Sequence, residues 1–301
     1  MSERAVGLVM AVYGPAKGGK SAACALAASG PGGMIFSDTG AVLPVSTIWG
    51  VTIPADRISS EKNIGKIAQA VSEMPKGVAY VDDLSILVSD KLSATKKQGW
   101  GAYDNLQADV YKLLDAGKIL ASKGGTLIMS LHEAPPKLVS GRDIRGGPDL
   151  WGQMAEKFSA RVDTVLRVVP DSSAAPWPWV LHSRPTDYVG GDRSNTMPHG
   201  GPLNIGEALR AAEFFCPYPV GCEWMVVAVP AAARRVYTAG MEDWRKTLGG
   251  IMQEFFQKKP DTTPGMKRLF GQNVLNRASL IAHANNVDFW SEVQPSSSDG
   301  I

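Results

Sequence analysis

A chain of 301 residues with 31 lysines and arginines against 29 aspartates and glutamates has a formal charge of +2. That balance excludes the broad positive field of a polybasic membrane or nucleic-acid binder and confines any phosphate contact to a local patch. Hydrophobic content of 44% with 20% charged residues excludes wholesale disorder, and the length suits one large domain or one domain with an appendage. Three cysteines, Cys24, Cys216 and Cys222, are too few and too odd in number for a disulfide framework, so a reducing, cytoplasmic setting is expected. The N-terminus shows no secretory signal, and the most apolar segment, Trp224 to Ala233, is short and contains Pro230. A soluble protein without membrane contact is therefore expected.

Short apolar runs alternate with helical patterns over the first two thirds of the chain, the signature of an α/β protein with a mainly parallel central sheet. In chain order the pattern predicts a strand at Gly7 to Tyr13, a helix at Lys20 to Ala28, a strand at Gly33 to Ser37 and a helix at Glu61 to Glu73. A strand at Gly77 to Val81 follows, then a helix at Tyr103 to Ser122, a strand at Thr126 to Leu131 and a helix at Leu150 to Ser159. Strands at Val162 to Val169 and Trp179 to Ser183 flank turn chemistry at Asp171 to Pro176 and are expected as an antiparallel edge hairpin, followed by a helix at Asn204 to Phe214. Cys216-Pro-Tyr-Pro-Val-Gly-Cys222 breaks regular structure, which sets the expected boundaries at 1–215 for the core, 216–293 for a small, mainly helical appendage and 294–301 for a tail. Helical periodicity returns at Met241 to Gln257 and Gly265 to Asn285, joined by the Lys258 to Pro264 linker.

The first strand runs into Gly14-Pro15-Ala16-Lys17-Gly18-Gly19-Lys20-Ser21, which matches G-x-x-x-x-G-K-[ST] without a mismatch, and Ala22 continues into a small-residue helix. Strand, loop and helix are the context the motif needs, because loop amides and the helix dipole together cradle phosphates. Lys20 is expected at the terminal phosphates of ATP and Ser21 on Mg²⁺. Cys24, one turn into that helix, reads most simply as a small buried residue. Val78-Ala-Tyr-Val81 ends in Asp82-Asp83 at the sheet edge where ligands bind in open α/β folds. Asp82 is the expected metal partner, through water. Asp83 is either a cap for the segment beginning at Leu84 or a general base.

With these motifs in this order the chain resembles the RecA-like P-loop ATPase core, and specifically the small RecA-like proteins of bacteriophages associated with recombination and single-strand annealing. The likeness covers about residues 5 to 212 and includes Gly99-Trp100-Gly-Ala-Tyr103 before a long helix. Thr126-Leu-Ile-Met-Ser130-Leu-His132-Glu133 is similar to the strand ending in a polar sensor, with His132 at the sensor position. Ala134 to Gly147, long and without its own periodicity, resembles the family's mobile DNA-binding loop, which implies single-stranded DNA contacts by Arg142 and Arg145; the other reading is a lid. Phe158 to Arg167 resembles the strand returning from that loop. Asp187 to Arg193 looks like the late arginine-bearing turn, with Arg193 on a phosphate of its own or a neighbouring subunit. The resemblance further implies a homo-oligomer that works with other phage recombination or replication proteins.

One departure stands out. RecA proper carries a catalytic glutamate after the second strand, where this chain reads Ser37-Asp38-Thr39-Gly40. Asp83 or Glu133 is left as the candidate base, or turnover is slow. Two alternatives stay open: a nucleotide-binding structural or regulatory protein with degenerate catalysis, and a genome-packaging ATPase, although no acidic nuclease cluster follows residue 216. Lys17-Gly-Gly-Lys20 is also similar to the signature-lysine loop of the MinD and ParA class but lacks two residues of that spacing. Cys216 and Cys222 with His199 make at most an incomplete zinc set. Trp177, Trp179 and Trp224 suit either burial or base stacking. The tail-region cations, Lys258 and Lys259 among them, suit either a solvated face or a DNA patch.

Overall fold

The computed structural model describes residues 7–37, 42–95, 100–139, 142–151, 154–170, 179–183, 185–193, 197, 201–202 and 204–285. The chain begins with β1 (Leu8–Gly14), α1 (Lys20–Ala27), β2 (Met34–Phe36), α2 (Leu43–Trp49), β3 (Ile58–Ser59) and α3 (Ile64–Glu73). It continues through β4 (Val78–Val81), α4 (Leu84–Thr95), α5 (Trp100–Ser122), β5 (Thr126–Ala134), β6 (Lys137–Val139), β7 (Arg142–Ile144), β8 (Gly147–Pro148) and α6 (Met154–Ser159). The remainder is β9 (Thr164–Pro170), β10 (Trp179–His182), β11 (Gly191–Asp192), β12 (Gly201–Pro202), α7 (Ile205–Ala211), α8 (Met225–Gln257) and α9 (Pro264–Ala284).

β1 is buried at every position, as an unbroken apolar run must be when helices cover both faces of a parallel sheet. It pairs in parallel with β5 on one side and β9 on the other. The sheet order is β12-β10-β9-β1-β5-β4-β2-β3, so β5 lies between the strand that feeds the glycine-rich loop and the strand that ends in Asp82. β1 to β5, together with β9, form the parallel part, and β10 returns antiparallel on β9, with Trp179 opposite Pro170. The fold class is α/β with a mainly parallel central sheet, as expected. The edge hairpin also forms, although β12 adds to β10 beyond it.

Alternation along β1 divides the core in two. Val9, Ala11 and Tyr13 join a cluster with α3 and α5, including Ile67, Leu106 and Leu113. Leu8, Met10 and Val12 join the other cluster, which continues through α1 and α7 into α8 and α9, including Leu209, Met225, Phe270 and Val274. Residues after 215 thus share apolar packing with the strand that carries the loop. A buried ion cluster adds to this join: Glu207 on α7 accepts from Arg210 Nε at 2.9 Å and Tyr218 Oη at 2.8 Å, and Arg277 Nε of α9 lies 3.5 Å away. Burial opposes the Arg210 charge, but Glu207 beside it more than offsets this, and the guanidinium is held protonated more firmly than usual.

Several elements differ from the sequence reading. α2 was not expected, and α4 extends to Thr95, beyond the short segment anticipated after Asp83. The expected 134–147 loop contains a two-stranded hairpin, with Lys137 opposite Ile144 and Val139 opposite Arg142. Strands of three residues are too short to show a period in the sequence. The apolar run at 224–233 is itself helical, and α8 joins it to the expected helix at 241–257 across a break in helical geometry at Gly240, where φ is 74° and ψ is −179°. Among the described residues no helix is long and apolar enough to cross a membrane.

Phe270 is fully buried and stacks on Phe255 with centroids 5.2 Å apart. Phe270→Ala should lower unfolding free energy by about 3–5 kcal/mol. In urea denaturation followed by tryptophan fluorescence the transition should stay single, because the cluster around Phe270 runs without a break to β1.

Candidate functional site

The loop from Gly14 to Ser21 is shaped by two glycines. A Cβ on Gly14 would lie 2.6 Å from the Val168 carbonyl, so β1 can approach β9 this closely only without a side chain there. Gly19, the N-cap of α1, has φ 75°, a left-handed conformation that favours glycine. No side chain caps α1, and the amides of its first turn face the loop. Pro15, Ala16, Lys17 and Gly18 form the turn between, closed by the Gly18 amide donating to the Pro15 carbonyl at 3.2 Å. Lys20 is buried, and its Nζ donates to the Gly14 and Pro15 carbonyls at 3.0 and 2.7 Å. Burial lowers its pKa, opposed by the nearby Asp83 and Asp82 carboxylates.

Ser21 and Ala22 follow Lys20 on α1. The Ser21 hydroxyl donates to Asp82 Oδ1 at 2.9 Å. The same oxygen accepts from Ser130 Oγ at 2.8 Å and from the Tyr80 hydroxyl, while Asp82 Oδ2 accepts from Ser37 Oγ at 2.9 Å. Sequence reasoning named Ser21 and Asp82 but passed over Tyr80, Ser37 and Ser130 as site residues. The available signal was a serine inside or at the end of an otherwise apolar strand. This donor set suits Mg²⁺: hydroxyl and carboxylate oxygens are hard ligands, and Ser21 would bind directly while Asp82, already surrounded by hydroxyls, would act through water. Cys24 is fully buried beneath this group, and burial raises its thiol pKa well above the ordinary value.

Asp83 caps α4 and also faces His132. Its Oδ1 accepts the Ser85 amide at 2.8 Å as the cap of α4, and its Oδ2 lies 3.2 Å from His132 Nε2. Burial raises the Asp83 pKa, with partial relief from His132. Ser85 also joins neighbouring segments, accepting from the His132 amide at 3.1 Å and donating to the Asp149 carbonyl at 2.8 Å. Asp82, Asp83 and His132 line one cleft with Ser21, Ser37 and Glu61.

Glu133 is not the free carboxylate expected of a base. Arg167 Nε and Nη2 grip it at 2.7 and 3.2 Å, and the Arg167 guanidinium lies 3.3 Å from the centre of the Tyr188 ring. Both carboxylate oxygens are thus engaged by one guanidinium. Arg145 is also engaged, donating from Nη2 to the Pro185 and Thr186 carbonyls at 3.1 and 3.2 Å and to that of Tyr188. It anchors the hairpin base, which corrects the expectation of a freely moving loop arginine. Arg142 is in β7, opposite Val139.

The expected contact of Arg193 with its own phosphate site is also corrected. Arg193 follows β11, where Asp192 pairs with Thr164, and Thr164 pairs with Met10 near the start of β1. The loop leaves the other end of β1, about 13 Å further along the strand. The Arg193 guanidinium donates to the Ala160 carbonyl at 2.7 Å and lies 3.7 Å from Asp163. Of the two contacts expected for it, this position leaves none with the loop of its own chain. Cys216 and Cys222 are buried in the core, whereas His199, Trp177 and Asp38 to Gly40 lie outside the described residues.

No family model matches the chain, and no curated protein matches it in sequence. Among solved structures it is similar to a prototypical ATPase from the type III secretion system of pathogenic bacteria, at 11% identity and a TM-score of 0.40, covering 98% of this chain and 76% of that one. A likeness of that size carries no argument about activity.

Arg167→Met should leave the partly buried Glu133 carboxylate unpaired and lower stability by about 2–3 kcal/mol. Adding Glu133→Gln should recover more than half of that loss in urea unfolding. Equal losses for the single and double variants would show that the pair is not coupled.

Proposed function

We propose that this protein is a Mg²⁺-dependent, RecA-like P-loop ATPase. The observation that carries the reading is the Ser21–Asp82 hydrogen bond of 2.9 Å beside the buried Lys20, which brings the loop's two ligand side chains and the carboxylate at the end of β4 together at one sheet edge. The loop amides and the start of α1 would receive the β- and γ-phosphates, and Lys20 would exchange its carbonyl partners for phosphate oxygens. A bound Mg²⁺ would supply charge neutralisation at those oxygens. Asp83, on the same edge and raised in pKa by burial, would accept the proton of the attacking water. His132, 3.2 Å from Asp83 Oδ2, would act as the polar sensor.

A second reading, nucleotide binding with slow or degenerate turnover, is favoured by one specific arrangement. Each candidate base already has partners: Glu133 has Arg167, and Asp83 has the α4 cap and His132. The first reading extends to single-stranded DNA through the β6–β7 hairpin, where Lys137 and Leu138 are exposed, and to a homo-oligomer. Recombination, repair or replication in a phage context is the process in which that activity would serve.

Lys20→Ala should abolish measurable ATP binding in calorimetry while leaving the circular dichroism spectrum unchanged. Unaltered affinity would remove the phosphate-loop assignment. Asp82→Asn should weaken Mg²⁺-dependent binding, whereas Asp83→Asn should keep binding and lower kcat at least tenfold.

Asp83 must be ionised to accept a proton, and burial raises its pKa above the usual carboxylate range. Turnover should therefore rise with pH through that raised value, starting to fall on the acid side sooner than an ordinary carboxylate would allow. Residual turnover in Asp83→Asn should lack this limb in a pH–rate profile.

Arg142→Ala should weaken single-strand binding and reduce the salt slope by about one phosphate contact. If a salt titration superimposes on the parent, the hairpin is a lid and not a DNA surface.

A further inference from the structure

β5 outruns its neighbour: β4 ends at Val81, opposite Met129, while β5 continues to Ala134. At His132 the first turn of α4 supplies the partner that β4 no longer offers. The His132 amide donates to Ser85 Oγ at 3.1 Å, Ser85 Oγ donates to the Asp149 carbonyl at 2.8 Å, and the Asp149 amide returns to the His132 carbonyl at 2.8 Å. A hydroxyl suits this place because it accepts and donates at once. Ser85 is only 7% exposed, so water does not readily replace either contact. Its amide is committed as well, to Asp83 Oδ1 at 2.8 Å, and Asp83 Oδ2 lies 3.2 Å from His132 Nε2. Ser85 therefore touches both members of the Asp83–His132 pair, one through its own backbone and the other through its hydroxyl.

We propose that Ser85 is a positioning residue for ATP hydrolysis, its hydroxyl holding the end of β5 so that the His132 ring stays against Asp83. This role rests on the ATPase reading, in which those two side chains would face the attacking water and the terminal phosphate. The His132 side chain is 42% exposed and that of Asp83 only 9%, so the ring is the movable half of the pair and its backbone decides where it can reach. Asp149 directly follows β8, which pairs with β5 at Glu133 and Ala134. The same hydroxyl thus also fixes the segment that leaves the β6–β7 hairpin against the site edge. Nucleotide binding is held by other partners: Lys20 by the Gly14 and Pro15 carbonyls, and Ser21 by Asp82. Loss of the Ser85 hydroxyl should therefore act on the chemical step and spare affinity.

The test compares Ser85→Thr with Ser85→Val in the full-length protein. These replacements share a shape and differ in the hydroxyl, so crowding by the added methyl is common to both. Ser85→Ala removes the hydroxyl without adding bulk. In proton–carbon NMR spectra of the nucleotide-free protein, the His132 ring resonance is assigned by its loss in His132→Gln. It should move in Ser85→Val and Ser85→Ala toward its position in Asp83→Asn, and stay near the parent position in Ser85→Thr. The kcat for ATP should fall about tenfold or more in Ser85→Val and Ser85→Ala, with KM and calorimetric affinity within about twofold of the parent, and Ser85→Thr should recover most of the loss. A His132 resonance that ignores the hydroxyl, equal turnover in Ser85→Thr and Ser85→Val, or affinity that falls in step with kcat would overturn the proposal. A parent that does not bind ATP or turn it over defeats the ATPase reading instead, and the His132 resonance then decides alone whether Ser85 places the ring.

Discussion

The carboxylate of Asp82 is the point on which this site depends. It accepts hydroxyls from α1, β2, β4 and β5 through Ser21, Ser37, Tyr80 and Ser130. Polar oxygens at the end of a buried strand need hydrogen-bond partners, and here each donor comes from a different segment converging on the loop. The Tyr80 and Ser130 hydroxyls are themselves 3.0 Å apart, which links neighbouring strands side by side beneath the loop. The Gly14–Ser21 loop is thus held from below by polar contacts and from the side by the close approach of Gly14 to β9. These contacts fix where Lys20 and Ser21 can project.

A second group of contacts occupies the same edge further out. Glu133 and Arg167 join β5 to β9, Tyr188 lies over the guanidinium, and the Tyr13 hydroxyl donates to the Val189 carbonyl at 2.5 Å. Arg145 joins the hairpin to the same 185–189 turn. The last residues of β1 before the loop and the base of the hairpin thus grip one turn from two sides. Any movement of that turn would be felt both at the loop and at the hairpin.

Much of the core was legible in the sequence because its signals are local. An apolar run ending in glycine, a lysine and serine at fixed spacing, and an apolar strand ending in aspartate each express one constraint within ten residues. What escaped was non-local. Nothing near Glu133 announces that Arg167, on a different strand, neutralises it, and nothing near Arg193 reveals that β11 pairs at the far end of β9. The hairpin was hidden because its strands are short, and α2 because Leu43 to Trp49 is only seven residues long and mixes proline, serine and threonine with its apolar residues. The first half of α8 was obscured by Pro230, ordinarily a breaker, which the helix runs past, whereas Gly240 does interrupt the helical backbone just before the helix expected from Met241.

That break has its own consequence. A side chain added at Gly240 would meet nothing within 4 Å, so what holds this position to glycine is backbone conformation alone and not crowding. The joint lies between two amphipathic halves that each reach the core independently, through Val229 and Val236 before it and Trp244 and Ile251 after it. A substitution here would therefore be opposed by backbone strain and not by a clash, and it would act on the angle between the two halves rather than on the packing of either.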